Sequence, residues 1–149
     1  IQYRLVGGGP LFGRVRAHII ARELDNVSCV GWQHGEKLKD VIADARLVVV
    51  PSVWYENYPQ SVLEAKALGK VVVASDIGGV PELLPPECLV PPGDPDALSA
   101  KIREWYQAPS SARARTGEKF RQEVERENNL TRYTKELLTV YALVTQTHS

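Results

Sequence analysis

From Ile1 to about Val90, short apolar runs alternate with stretches in which apolar residues recur every three or four positions. That alternation reads as strands interleaved with helices. Ile1 to Val6 reads as a strand, broken by Gly7, Gly8 and Gly9. Pro10 suits the first turn of a helix running to about Leu24, because its missing N–H costs nothing there. Val27 to Val30 is a short strand closed by Gly31. Glu36 to Ala45 places Leu38, Val41, Ile42 and Ala45 on one helical face. Leu47 to Val50 and Val71 to Ala74 are unbroken apolar runs, as expected of parallel strands covered on both faces. Pro59 to Leu68 reads as a helix with Pro59 at its first position and Gly69 as its left-handed terminator. Gly78-Gly79 turns into a short helix near Pro81 to Leu84, and Leu89-Val90 is a last short strand.

After Asp94 the pattern becomes helical. Asp94 or Asp96 can cap a helix through Tyr106. Two further helices are expected over 111–127 and 130–144, their alternating charges marking solvated faces. The order predicts an α/β fold: a Rossmann-like doubly wound parallel sheet with a helical carboxy-terminal tail. No boundary, repeat or low-complexity tract interrupts it.

Length and charge narrow the classes. The 149 residues suit one domain with a real core. Eighteen basic and eighteen acidic side chains give a formal net charge of zero, which lacks the basic excess of a nucleic-acid binder. No nucleic-acid partner is therefore expected. No apolar run approaches the roughly 18 residues of a membrane-crossing helix. Cys29 and Cys88 sit in short apolar stretches and read as small core residues of a reducing compartment, hence a cytoplasmic location. Ile1 opens directly into a strand without Met or leader, so upstream sequence is expected to be missing.

Candidate chemistry concentrates in Pro51 to Glu82. Glu56 lies in the loop after a buried strand; Glu64 lies in the following helix. Both fall at the carboxyl edge of the sheet, where open α/β sheets bind ligands. At the helix start, Gln60, Ser61 and Val62 would carry amides without intrahelical partners, an anion cradle; the bland alternative is a solvated helix end. Glu64 could grip a vicinal diol such as ribose with two oxygens, or pair with Lys66 or Lys70 on an exposed face. Glu56 stands among Trp54, Tyr55 and Tyr58, which suits a sugar site or a packed loop. A hydrolase pair of carboxylates roughly 5 Å apart ranks lower, since no hydrolase barrel is visible.

Three features carry less. Gly7, Gly8 and Gly9 let backbone approach a ligand but do not make the dinucleotide fingerprint. Gly78-Gly79 is either a phosphate-facing loop or a tight connection. Trp32, Gln33 and His34 follow a strand, so their backbone could read a base; His34 reads first as a surface histidine, and His18 and His148 as helix or tail residues. No Ser-His-Asp set or metal cluster is visible, so no metal and no cofactor are expected.

The stretch PSVWYENYPQSVLEAKALGKVVVASDIGGVPELL closely resembles the signature of retaining GT-B glycosyltransferases of family 4, the glycosyl transferases group 1. LVGGGPL, the VGW loop and LVPPGDPDAL fit in order, so the resemblance covers nearly the whole chain. It implies the carboxy-terminal donor-binding domain, one half of a GT-B fold, over 1–149 and truncated at its amino-terminal side. It implies that Glu64 binds ribose and that Glu56 contacts the donor sugar as the catalytic glutamate. Asn57, Tyr58, Pro59, Gln60, Ser61 and Val62 would hold the distal phosphate and sugar. Trp32, Gln33 and His34 would meet the base, and Gly7, Gly8 and Gly9 would border the nucleotide. The donor would be a UDP- or GDP-type nucleotide-sugar, used without metal. Retention would proceed by front-face attack, the donor diphosphate helping to deprotonate the acceptor.

One departure matters. Family members carry an Arg and a Lys upstream that neutralise the diphosphate leaving group, and no segment here matches that unit. The acceptor domain of such enzymes is likewise expected to lie in the missing upstream part. The fragment alone is therefore expected to bind nucleotide weakly and to transfer no sugar. The acceptor, a sugar, lipid or protein, stays open, as does peripheral attachment at the inner membrane face. A non-catalytic nucleotide-binding module and a sugar-nucleotide epimerase of similar fold are the competing readings.

Overall fold

The computed structural model describes residues 1–146, so His148 lies outside the described residues. The chain divides into two compact units, Ile1–Val41 and the residues from Ile42 onward. The division falls inside a helix, which is why the apolar pattern shows no break there.

In the first unit, β1 (Tyr3–Val6), α1 (Phe12–Ala21) and β2 (Val27–Gly31) follow in order. β1 and β2 are parallel, Tyr3 opposite Val27 and Leu5 opposite Cys29, with the register shifting before Val6 meets Gly31. The glycine run ends β1 as expected. Pro10 stands before α1 rather than in its first turn, because the Gly9 carbonyl accepts the Phe12 N–H and the helix starts there. Helix α2 (Glu36–Asp44) crosses the division, and its one buried residue is Ile42.

The second unit holds β3 (Val48–Val50), α3 (Gln60–Ala67), β4 (Val72–Ser75), α4 (Val80–Leu83), a 3-10 turn at Pro86–Cys88, β5 (Leu89–Val90), α5 (Pro95–Gln107), α6 (Ser110–Glu127) and α7 (Leu130–Gln146). Its three strands run parallel in the order β3-β4-β5. β4 is central and buried at every residue, as its unbroken apolar run predicts. Val62 and Ala65 of α3, Val80 and Leu83 of α4, Ile102 of α5 and Phe120 of α6 are buried with it and form the core.

The strands thus form two parallel sheets, where the sequence pattern predicts one. Apolar runs identify which segments are strands; they carry no information on which strands pair. The fold class stands: parallel sheets flanked by helices.

Local signals act as their chemistry requires. Asp94 caps α5, its carboxylate accepting from the N–H groups of Asp96 and Ala97 at 3.0 and 2.8 Å. Gly69, at φ +65°, ends α3. Its N–H donates to the Lys66 carbonyl and the Lys70 N–H to the Ala65 carbonyl, the double bond pattern of a left-handed helix stop. α6 then crosses that stop so closely that a side chain on Gly117 would collide with the Gly69 carbonyl. Glycine costs a helix interior about 1 kcal/mol against alanine, and here it permits the closest approach of α6 to α3. α7 departs from expectation: its charges are solvated, but Leu130, Tyr133, Leu138, Val140 and Tyr141 are exposed as well. Among the described residues no helix is long and apolar enough to cross a membrane.

Candidate functional site

Because β3, β4 and β5 are parallel neighbours, the segments that follow them emerge at one edge of the sheet. Those segments are 51–59, 76–79 and 91–94. The first carries Glu56 and leads into α3, which carries Glu64.

Glu56 is half-buried and held from two directions. The Ser52 hydroxyl donates to its carboxylate Oε1 at 3.1 Å. Its own carbonyl accepts the Gly79 N–H at 2.7 Å. Gly78, at φ +58°, and Gly79 form the floor under this loop. A Cβ on Gly78 would run into the Glu56 carbonyl, and one on Gly79 into the Asn57 carbonyl. Gly78-Gly79 is therefore packed against protein backbone, the tight-connection reading, with the Glu56–Asn57 main chain as what it supports.

α3 begins at Gln60, not Pro59. Pro59 is the buried N-cap, with extended backbone at φ −66° and ψ 115°. Its carbonyl accepts the N–H groups of Val62 and Leu63 at 3.1 and 3.4 Å. This corrects the expectation for two residues. Pro59 supplies the first acceptor instead of occupying the first helical position, and the Val62 amide is already bonded. The amides of Gln60 and Ser61 have no acceptor among the described residues. Asn57 is exposed; the Tyr58 hydroxyl accepts a hydrogen bond from the Asn128 side-chain amide at the end of α6, which fixes the phenol.

The two faces of α3 differ sharply. Gln60, Ser61 and Glu64, three and four positions apart, share the exposed face at its amino-terminal end. Glu64 has no ion pair or side-chain hydrogen bond among the described residues. Lys66 and Lys70, its partners in the bland reading, are committed elsewhere. Lys70 donates to the Ala43 carbonyl at 2.6 Å. Lys66 is buried on the opposite face, where its ammonium donates to the Leu83 carbonyl at 2.5 Å. It also pairs with Glu123 at 3.1 Å and sits 5.0 Å from the centre of the Phe120 ring.

The remaining candidates belong to the first unit. Gly7, Gly8 and Gly9 line an open cavity of about 320 Å³ together with Leu5, Pro10 and Cys29. The Gly7 N–H donates to the Gly31 carbonyl at 2.8 Å. The Trp32 indole lies 4.0 Å from where a Gly8 side chain would begin, so the glycine turn and the segment after β2 are neighbours. Gln33 turns its amide back onto the Val30 carbonyl at 2.8 Å, and His34 is exposed.

The family described as glycosyl transferases group 1 matches residues 1–123. The chain belongs to this family. It is similar to the amylovoran biosynthesis glycosyltransferase AmsK of Erwinia amylovora, 29% identical over 83% of the chain and 34% of that protein. Among solved structures it is similar to the sucrose-phosphate synthase of Thermosynechococcus elongatus, with 29% identity and a TM-score of 0.84 over 98% of the chain and 39% of that protein. HepE of Anabaena, solved in complex with UDP-glucose, shares the fold at 20% identity and a TM-score of 0.82, over 95% of the chain and 40% of that one. The fold is that of GT-B glycosyltransferases. The chain spans about a third of the length of the curated relatives that match it along most of its residues.

Within this glycosyltransferase family chain, sequence reasoning missed Ser52, which looked like a strand terminator. A hydroxyl four residues before a candidate carboxylate was the available signal. It also missed the burial of Lys66, for which a helical lysine amid Ala and Leu gives no warning.

Proposed function

We propose that this chain is the donor-binding part of a longer retaining glycosyltransferase that moves a hexose from a nucleotide-diphosphate sugar to an acceptor hydroxyl. Glu64 accepts both ribose hydroxyls, the Gln60 and Ser61 amides meet the distal phosphate, and Glu56 orients the donor sugar. The segment at Trp32 to His34 and the Gly7–Gly9 turn serve the nucleotide. The bond from the anomeric carbon to the diphosphate breaks, the acceptor oxygen takes its place on the same face, and the acceptor proton passes to the diphosphate. In this reading the leaving charge is met by the α3 amides and by cationic side chains elsewhere in the longer enzyme, without a metal. The acceptor is bound by that enzyme's other domain.

One observation carries the reading. Glu64 is an uncommitted carboxylate on the same exposed face as two unbonded helix amides, while both lysines beside it are used elsewhere.

The test is calorimetric titration of UDP, GDP and ADP into the full-length enzyme and its Glu64→Ala variant. Loss of a charged bidentate contact weakens the preferred nucleotide by about 1.5–3 kcal/mol. Unchanged affinity removes Glu64 from the ribose and the reading with it. Product analysis with donor alone separates transfer from epimerisation, which would release free nucleotide without an acceptor.

A further inference from the structure

The Glu56 loop is located by groups that no functional role so far explains. Its neighbours Val53, Trp54 and Tyr55 are all exposed, so side-chain packing does not fix it. At Glu56 itself, two hydrogen bonds and one steric floor do. Ser52 holds the carboxylate, the Gly79 N–H holds the carbonyl, and the bare Cα atoms of Gly78 and Gly79 lie against the Glu56 and Asn57 carbonyls. The Ser52 bond occupies Oε1 only, and no bond to Oε2 exists among the described residues.

We propose that Ser52 and Gly79 are positioning residues that hold Glu56 for the donor sugar. Ser52 sets the carboxylate rotamer and Gly79 the height of the main chain. The inference rests on the reading of Glu56 given above and extends it to groups that touch no substrate. Gly79 is the cleaner probe of the two glycines. Its backbone, at φ −86° and ψ 1°, is one alanine adopts freely, so Gly79→Ala acts only by pushing on the Asn57 carbonyl. At Gly78 a side chain would add backbone strain to the collision.

The readout is the ratio of affinities for the nucleotide-sugar and for the bare nucleotide, measured calorimetrically on the full-length enzyme. A general loss of structure weakens both ligands; a displaced Glu56 weakens only the sugar's share. Ser52→Ala and Glu56→Ala are each expected to lower the ratio by roughly threefold to tenfold with bare-nucleotide affinity unchanged, and Gly79→Ala, which also moves the Asn57 carbonyl, is expected to lower the ratio as well. Ser52→Thr, which keeps the hydroxyl, is expected to retain it. Ser52→Ala combined with Glu56→Ala is expected to be no worse than Glu56→Ala alone. Should Gly79→Ala fail to fold, the serine series decides the matter by itself. If Glu56→Ala lowers the ratio while Ser52→Ala and Gly79→Ala do not, the positioning role is overturned and the reading of Glu56 stands. If Glu56→Ala leaves the ratio intact, Glu56 has no contact with the sugar and the proposal falls with it.

Discussion

β4 (Val72, Val73, Ala74, Ser75) and β1 (Tyr3, Arg4, Leu5, Val6) are both four-residue strands, yet they live in different surroundings. Every residue of β4 is buried, within a three-stranded sheet that α3, α5 and the 3-10 turn contact. In β1 only Tyr3 is half-buried, and Leu5 and Val6 are each 42% exposed. Strands of equal length therefore give a core in one unit and a two-stranded ribbon with open apolar faces in the other. Burial is a property of what packs on a strand, and a pair of strands with one helix has too little to pack. Glu56 and Glu64, the carboxylates proposed to hold the donor, sit on the unit with the core, which suits that proposed role.

The comparison can be broken most directly by truncation. Phe120→Ala removes a ring that is 1% exposed and should cost about 3–5 kcal/mol of unfolding free energy. Leu5→Ala, by contrast, should stay within about 0.5 kcal/mol. Comparable losses in chemical denaturation would show that the first unit is as tightly packed as the second. Next in size is Lys66→Ala, which strands Glu123 and the Leu83 carbonyl at the back of α3. A loss of about 3 kcal/mol is expected. A near-neutral result would mean that the α3–α6 contact does not depend on the Lys66–Glu123 pair.

The two cysteines sharpen the contrast further. Cys29 in β2 is half-buried, whereas burial and the neighbouring Glu87 push the Cys88 thiol up to about 12 from an ordinary 9.0. A thiol reagent at neutral pH should label Cys29 in the folded protein and Cys88 only after denaturation. The linkage has a definite sign. Between about pH 9 and 12 the unfolded chain has released the Cys88 proton and the folded chain retains it. Stability contributed by the neutral thiol is complete below pH 9 and declines as pH rises, by up to ~1.4 kcal/mol per unit. Cys88→Ala should flatten that part of the pH profile. An unchanged profile would place the thiol in contact with water.

Much of this architecture was legible because its signals are local. Val71 to Ala74 announces a covered parallel strand, Asp94 a cap and Gly69 a helix stop, and each does what its chemistry requires. The placement of Glu56 in the loop after a strand and of Glu64 on the next helix was legible as well. What stayed hidden depends on contacts distant in sequence. Lys66 reads as a surface charge until Glu123, Leu83 and Phe120 surround it. Gly117 reads as a weak point in a polar helix until the α3 stop is laid across it. Pro59 reads as a first helical residue, and only its backbone angles make it the cap. The pairing of five strands into two sheets left no trace in any single segment.

The attachment of Glu56 through its main chain has a consequence for how such a protein can diverge. A main chain seated at Glu56 by the Gly79 amide and two side-chain-free positions does not depend on the identity of the aromatic residues beside it. Val53, Trp54 and Tyr55, all exposed, can mutate while the Glu56 main chain keeps its place. Variation in the exposed side chains of that loop is thereby separated from the position of the acid itself.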